Sequence, residues 1–432
     1  MKSSSDDPAQ TWARLGWGTA DIPHAELDEA TRLQADLPRT LLPAPHGAEQ
    51  PAIFDPALKQ FARAYRAGEP RFRRAAKARA WHRARRTALD GVLAAIAAGP
   101  WASHLVLRGS VLMATWFPEV ARDPGDLDFV VVPQDWVMDG PESAGLFAGL
   151  AQDAAAACAG GPVRIDAAGM VTEEIWTYDR VPGRRMLLPW TAAGTAGGSI
   201  QLDLVFNEPL PVPAELTDLR PLGDGPGCRL LAASTDLSLA WKLLWLISDA
   251  YPQGKDLYDA VLLAEHTGLS YEVLRDAFVL GGFEGLRPPG QWWFETLEVG
   301  GEWEHFTTEH PWVQETAEHF TDRLHRALAP LLAAAEQHDP YTQWVCWLQP
   351  LVESTRATPP ADQAASLAPL ARGGRDGLTA AVIILRETVG RQVLTTEDAL
   401  RIVLAADDAW SAWRDDPPWR SPPQIPHPVP SP

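Results

Sequence analysis

The sequence predicts an α/β (α+β) chain, with a small mixed sheet flanked by helices and a helical C-terminal domain behind it. Three observations predict this. Residues 104–107 and 126–132 are short apolar runs of strand length. Ile200-Gln-Leu-Asp-Leu-Val-Phe206 alternates, so Ile200, Leu202, Leu204 and Phe206 share one face while Gln201, Asp203 and Val205 share the other. From about Ser234 onward the apolar spacing becomes helical, with Leu237, Ala240, Trp241, Leu244 and Ile247 on one stripe.

In chain order, residues 1–55 are rich in Pro and polar side chains and read as an irregular, loosely docked arm. Residues 56–98 read as a basic helical arm broken near Gly68-Glu-Pro70, whose second part is rich in Ala and Arg. A core over 99–230 contains candidate strands at 104–107, 126–132, 162–167, 170–178, 184–190 and 200–206. Helices are expected at Val111–Trp116, started by Ser110, and at 142–159. A helical domain follows over 231–414, with helices near 235–248, from 254, and at 313–336, 340–353, 375–390 and 396–412. The aromatic stretch 282–312, punctuated by Gly and Pro, reads as a long packed loop, and the Pro-dense tail 415–432 reads as disordered.

The chain has 432 residues, 46% of them hydrophobic, which suffices for a real core and two or three domains. Its 3 Cys are scattered at 158, 228 and 346 with no CxxC or His/Cys cluster, so neither a disulfide framework nor a zinc site is expected. No stretch approaches the roughly 20 apolar residues of a membrane helix, and the N-terminus lacks an apolar signal core. A cytoplasmic protein without a membrane partner is expected. The formal net charge of −19 argues against nucleic-acid binding over the whole surface. The charge is unevenly spread, however: between Lys59 and Arg86 there are 11 Lys or Arg and a single acid, Glu69. Such a segment is either a solvated face paired with acids elsewhere or a phosphate-contacting patch.

Chemistry concentrates around one strand. Asp126 and Asp128 lie two residues apart, so both project from the same side of the strand. Two close carboxylates repel unless a cation lies between them. Oxygen-only ligands suit Mg²⁺, which binds through one or two carboxylates plus substrate phosphates. Gly109-Ser110, at the end of the preceding strand, lets backbone N–H groups approach a phosphate. Asp203, central in its apolar strand, is a third carboxylate able to stand beside the pair, and a buried carboxylate needs a partner or a metal.

Gly109-Ser110, Asp126-Leu-Asp128, Asp203, the helix carrying Lys242-Leu-Leu and then Lys255-Asp-Leu-Tyr-Asp259 occur in that order. This resembles the nucleotidyltransferase toxins of the AbiEii/AbiGii type, which are related to the MenT toxins and share a polymerase-beta-like nucleotidyltransferase core. The resemblance spans roughly residues 101–265. It implies a nucleotidyltransferase sheet and transfer of NMP from an NTP to a nucleic-acid acceptor such as a tRNA 3′ end. It also implies a Mg²⁺ cofactor at a two-metal site, and a cognate antitoxin as partner. Asp126, Asp128 and Asp203 would be metal ligands, with Asp203 also placed to take the acceptor's proton. Gly109, Ser110 and Arg108 would hold phosphates, and Lys242 would neutralise the triphosphate. Lys255, Asp256 and Asp259 would order the nucleotide or the rim of the site. Lys255 stands where the family more often has Arg, which keeps the charge but loses the planar fork. Transfer to a small molecule or protein, or nucleotide binding without catalysis, are the alternatives.

Overall fold

The computed structural model describes Trp12, Leu15 and residues 21–415 apart from 178–180, 250, 283–284 and 298. The Pro-rich tail lies, but for Asp415, outside the described residues. The chain divides into two compact units, residues 1–208 with 213–234, and residues 209–212 with 235–432.

The first unit is built on a mixed sheet. Its strands are β3 (Leu105–Arg108), β4 (Asp126–Val131), β5 (Val163–Ile165), β6 (Val171–Thr177), β7 (Val181–Ala192), β8 (Gly198–Val205), β9 (Glu215–Leu219) and β10 (Cys228–Ala232). They run in the order β5-β7-β8-β4-β3-β10-β9, with β6 sharing the outer edge of β7. Strands β4 and β8 are parallel, while β3 and β7 flank them antiparallel. The alternation seen in the sequence holds: Leu127, Phe129, Leu202 and Leu204 are fully buried. Helix α1 is Glu29–Gln34, and α2 (Ala75–Ala98) buries Trp81, Ala88, Val92 and Ile96 at helical spacing. Through that stripe α2 packs on α4 (Pro141–Ala157) and against β5, β8 and β10. Helix α3 (Ser110–Trp116) follows β3 directly.

The N-terminal segment departs from expectation. Its described residues are packed rather than loose, with Trp12, Leu15, Ile22, Leu37, Leu41 and Tyr65 in a cluster of their own. Strand β1 (Ala52–Phe54) pairs antiparallel with β2 (Tyr65–Ala67) in a separate two-stranded sheet. The helix expected from residue 56 therefore starts only at Ala75, after a 3₁₀ turn at Pro56–Leu58. Strands of three residues carry almost no periodic signal, and their stability comes from non-local pairing.

The second unit is helical among its described residues. It comprises α5 (Thr235–Ser248), α6 (Gly254–His266), α7 (Tyr271–Gly281), α8 (Trp292–Thr296) and α9 (Gly300–Glu309). These are followed by α10 (Ala317–Ala335), α11 (Pro340–Trp347), α12 (Gln349–Ala357), α13 (Gln363–Ser366), α14 (Gly374–Val389), α15 (Thr396–Ala406) and α16 (Ser411–Asp415). Among its described residues the stretch read as a loop, 282–312, holds the helices α8 and α9. Its aromatic residues are tertiary anchors: Trp293 stacks on Phe278, and Trp303 and Phe306 meet Phe320 and Tyr258. The three cysteines are free thiols. No helix among the described residues is long and apolar enough to cross a membrane.

Leu41 is completely buried in the N-terminal cluster. Leu41→Ala should cost about 2–5 kcal/mol in urea unfolding. A loss below about 1 kcal/mol would show that this segment stands outside the cooperative core.

Candidate active site

Register places the charged residues. Arg108 on β3 pairs with Asp128 on β4, Asp128 with Asp203 on β8, and Asp203 with Arg185 on β7. Directly paired residues point to the same face of a sheet. Four strands therefore carry one row of charges, in the order cation, anion, anion, cation. Asp126 stands on the same face, two residues before Asp128 and opposite Gln201. Both carboxylates of the Asp126-Leu-Asp128 motif are partly exposed, whereas Leu127 between them is fully buried.

The Gly109-Ser110 turn closes on this row. Gly109 has φ of 83°, in the left-handed region that favours glycine. A Cβ at this position would also overlap Oδ2 of Asp128. Only a residue without a side chain lets the chain turn into α3 so close to the carboxylate. Ser110 is fully buried, and its hydroxyl donates a long hydrogen bond, 3.4 Å, to Oδ1 of Asp126. The two halves of the motif are thus in direct contact. Arg108, expected to touch phosphate, is buried with its Nη1 3.7 Å from Oε2 of the equally buried Glu208.

Asp203 has a protein partner. Arg185 donates from Nε to its Oδ1 at 2.9 Å and from Nη2 to its Oδ2 at 2.8 Å, a bidentate pairing. Gln201 Nε2 adds a bond of 3.1 Å to Oδ2. The remaining Arg185 nitrogen, Nη1, donates to Asp55 at 2.6 Å. Among the described residues no three His, Cys, Asp or Glu stand together as a metal cage. The structure therefore joins Asp126 with Gly109, Ser110 and Asp128, and joins Asp203 with Arg185. The Asp126–Asp128 pair offers two carboxylate side chains, the oxygen ligands a hard divalent cation prefers, beside the Gly109-Ser110 turn.

Burial raises the Asp55 carboxyl, but the Arg185 and Arg66 charges outweigh it and hold the pKa at about 2. Burial likewise disfavours the Arg185 cation, and the two carboxylates outweigh it, holding the guanidinium protonated well above its usual range. Sequence reading missed Arg185 and Asp55. β7 offers no alternation that singles out Arg185, because Arg184-Arg-Met-Leu-Leu188 is a pair of arginines followed by an apolar run and residues 185–188 are all buried. Asp55 offers no signal either, being brought in by the N-terminal sheet.

The helical unit holds a second cluster. Lys242 on α5 places Nζ 2.6 Å from Asp256 and 3.2 Å from Asp259, both on α6. Asp256 and Asp259 are three residues apart and so share a helix face. The ammonium also lies 5.1 Å from the Trp245 ring centroid, a cation–π distance. Lys242, Asp256 and Asp259 are buried, and Lys255 is half-buried. The family-order residues Lys242, Asp256 and Asp259 thus form one buried ion cluster.

The basic segment is largely stitched into its own unit. Arg85 pairs with Glu69 at 2.5 Å and donates to the Pro124 carbonyl. Arg86 meets Asp123, Arg71 meets Asp21, and Lys77 donates to the Gly194 carbonyl. Arg74, Arg79 and Arg83 are exposed.

The profile of the family described as "Nucleotidyl transferase AbiEii toxin, Type IV TA system" matches residues 91–336. No curated protein sequence matches the chain. Among solved structures, the chain is similar to MenT4, a nucleotidyltransferase toxin from Mycobacterium tuberculosis H37Rv. Identity is 15%, coverage is 57% of this chain and 91% of that one, and the TM-score is 0.34.

Two outcomes test this geometry. Gly109→Ala should lower turnover about 100-fold, by shifting Asp128 or the turn, in a chain that still folds by circular dichroism. Wild-type turnover in that folded variant would refute the cradle. The Asp55 pKa lies below its unfolded value, so its ionised form stabilises the fold. That contribution, about 2 kcal/mol, should be complete above about pH 5 and lost as pH falls from about 4 to 2. Urea unfolding across that range should show Asp55→Asn with a flatter acid limb; an unchanged limb would refute the coupling.

Proposed function

The chain belongs to the AbiEii nucleotidyl transferase toxin family, and from that premise we propose that it transfers NMP from an NTP to a tRNA 3′ end, with Mg²⁺ held by Asp126 and Asp128. Nucleotidyl transfer and the toxin–antitoxin setting, with NTP as substrate and an antitoxin as partner, follow from membership. The cation, the acceptor and the residue roles are our reading.

The observation that supports the reading most is the Asp126–Asp128 pair with Gly109 closing on Asp128. It places two carboxylates on a rigid strand at a turn whose backbone can meet phosphate. A divalent ion bound there supplies charge neutralisation for the triphosphate and the developing negative charge. Asp126 and Asp128 would hold that ion from β4. The Gly109-Ser110 turn orients the β- and γ-phosphates through backbone N–H groups, and the Ser110 hydroxyl steadies Asp126. The acceptor hydroxyl attacks the α-phosphorus, the bond from it to the bridging oxygen breaks, pyrophosphate leaves and the hydroxyl proton passes to solvent. Within the helical unit Lys242 is held by Asp256 and Asp259. Arg74, Arg79 and Arg83 supply local, salt-dependent contacts to a polynucleotide.

A second reading, with a small molecule or protein as acceptor, draws on the ion pairs of Arg71, Arg85 and Arg86, which reduce the cationic surface available to RNA.

The test is a transfer assay with four α-labelled NTPs, Mg²⁺ and total tRNA, comparing wild type with the Asp126→Ala/Asp128→Ala double variant. Label on tRNA from one NTP, lost by about 1,000-fold or more in the variant, is the expected result. No label on tRNA, with variant-sensitive pyrophosphate release when small molecules or proteins are added, would replace the tRNA reading by the second.

A further inference from the structure

Arg185 is only 4% exposed, in mid-strand, and each of its described bonds goes to an acid. In cross-strand register it stands beside Asp203, which stands beside Asp128. A carboxylate that receives a bidentate guanidinium and a Gln amide has both oxygens engaged, and its charge is balanced by an immobile cation. A divalent ion drawn to Asp203 would have to approach that cation, and a like charge at such range opposes binding.

Resting on the nucleotidyltransferase reading above, we propose that Asp203 is not a metal ligand. It is the anchor of Arg185, a positioning residue held at its other end by Asp55. Arg185 stands as a fixed positive charge beside the acidic pair, so the chain gives its divalent ion two carboxylates rather than three. Asp55 lies before the matched family region, which begins at residue 91. The N-terminal segment is therefore part of the device: it secures the arginine that sets the charge of the site. The same segment is tied along β6, through the Gln60 amide to the Glu174 carbonyl at 2.7 Å and the Arg39 N–H to the Glu173 carboxylate at 2.7 Å.

The experiment is Mn²⁺ binding to the full chain with a non-hydrolysable NTP analogue, read by electron paramagnetic resonance rather than by activity. Asp126→Asn and Asp128→Asn should each weaken binding roughly tenfold or more. Asp203→Asn should change it by less than about threefold. Arg185→Met, which frees Asp203, should tighten it. Equal weakening by Asp203→Asn and Asp128→Asn in a wild type that binds Mn²⁺ would overturn this inference while leaving the transferase reading intact. A wild type that binds no Mn²⁺ would overturn the metal reading and this assignment together.

Asp203→Asn strands a buried arginine and risks misfolding, so a urea double-mutant cycle with Arg185→Met reads the pair without metal. Asp203→Asn/Arg185→Met should be more stable than Asp203→Asn alone, with coupling of about tenfold or more in the unfolding constant. Additive effects would overturn the pairing.

Discussion

Two carboxylates side by side on adjacent strands are the constraint on which the sheet unit depends. Asp128 and Asp203 are register partners on a parallel pair, on strands roughly 4.8 Å apart. Such a pair repels, and the fold meets the repulsion differently on each side. On the β7 side, Arg185 balances Asp203 and is itself held by Asp55. On the β3 side, Gly109 gives Asp128 room and Arg108 turns to Glu208. A buried arginine stripped of its acids would be left as an uncompensated charge, a change that typically costs about 3–5 kcal/mol. The docking of the N-terminal segment and the electrostatics of the sheet are therefore one problem with one solution.

The helical unit solves a similar problem with the same stoichiometry, one cation between two carboxylates. Lys242 meets two carboxylates, and all three groups are buried. Asp256 lies in the first turn of α6, where the helix dipole favours a negative charge, and Trp245 offers the ammonium a π-face. The arrangement binds α5 to α6 through a charge cluster rather than through apolar contact alone.

Much of this was readable in the residues. The α/β class, the strands carrying Asp126, Asp128 and Asp203, and the helical change after residue 234 all follow from periodicity, because each of those elements is long enough to repeat. The order of Gly109-Ser110, Asp126, Asp128, Lys242 and Asp259 carried the family. What periodicity does not express is who pairs with whom across the chain. Arg185 and Asp55 were invisible as partners because their contact spans 130 residues. The β1–β2 ribbon was missed because three-residue strands have no period, and the helices within 282–312 because Gly and Pro mask the spacing of their aromatic anchors. The pairing of Lys242 with Asp256 and Asp259 needed the two helices brought together, whereas i,i+4 spacing points instead to Lys255 with Asp259.

The Asp55–Arg185 contact also has a consequence for the order of assembly. A chain leaving the ribosome presents its N-terminal segment long before β7 exists, since domains fold as they emerge, N-terminal parts first. Asp55 can form its own ribbon early but has no arginine to hold until residue 185 has been made, and Asp203 follows later still. Closing so long a loop delays the charge row relative to local structure. A growing chain therefore carries Gly109, Ser110, Asp126 and Asp128 for some time without the flanking cation. A nascent toxin of this design completes its charge row only when synthesis has passed β8, and its sheet only when it has passed β10, which separates the moment of translation from the moment of competence.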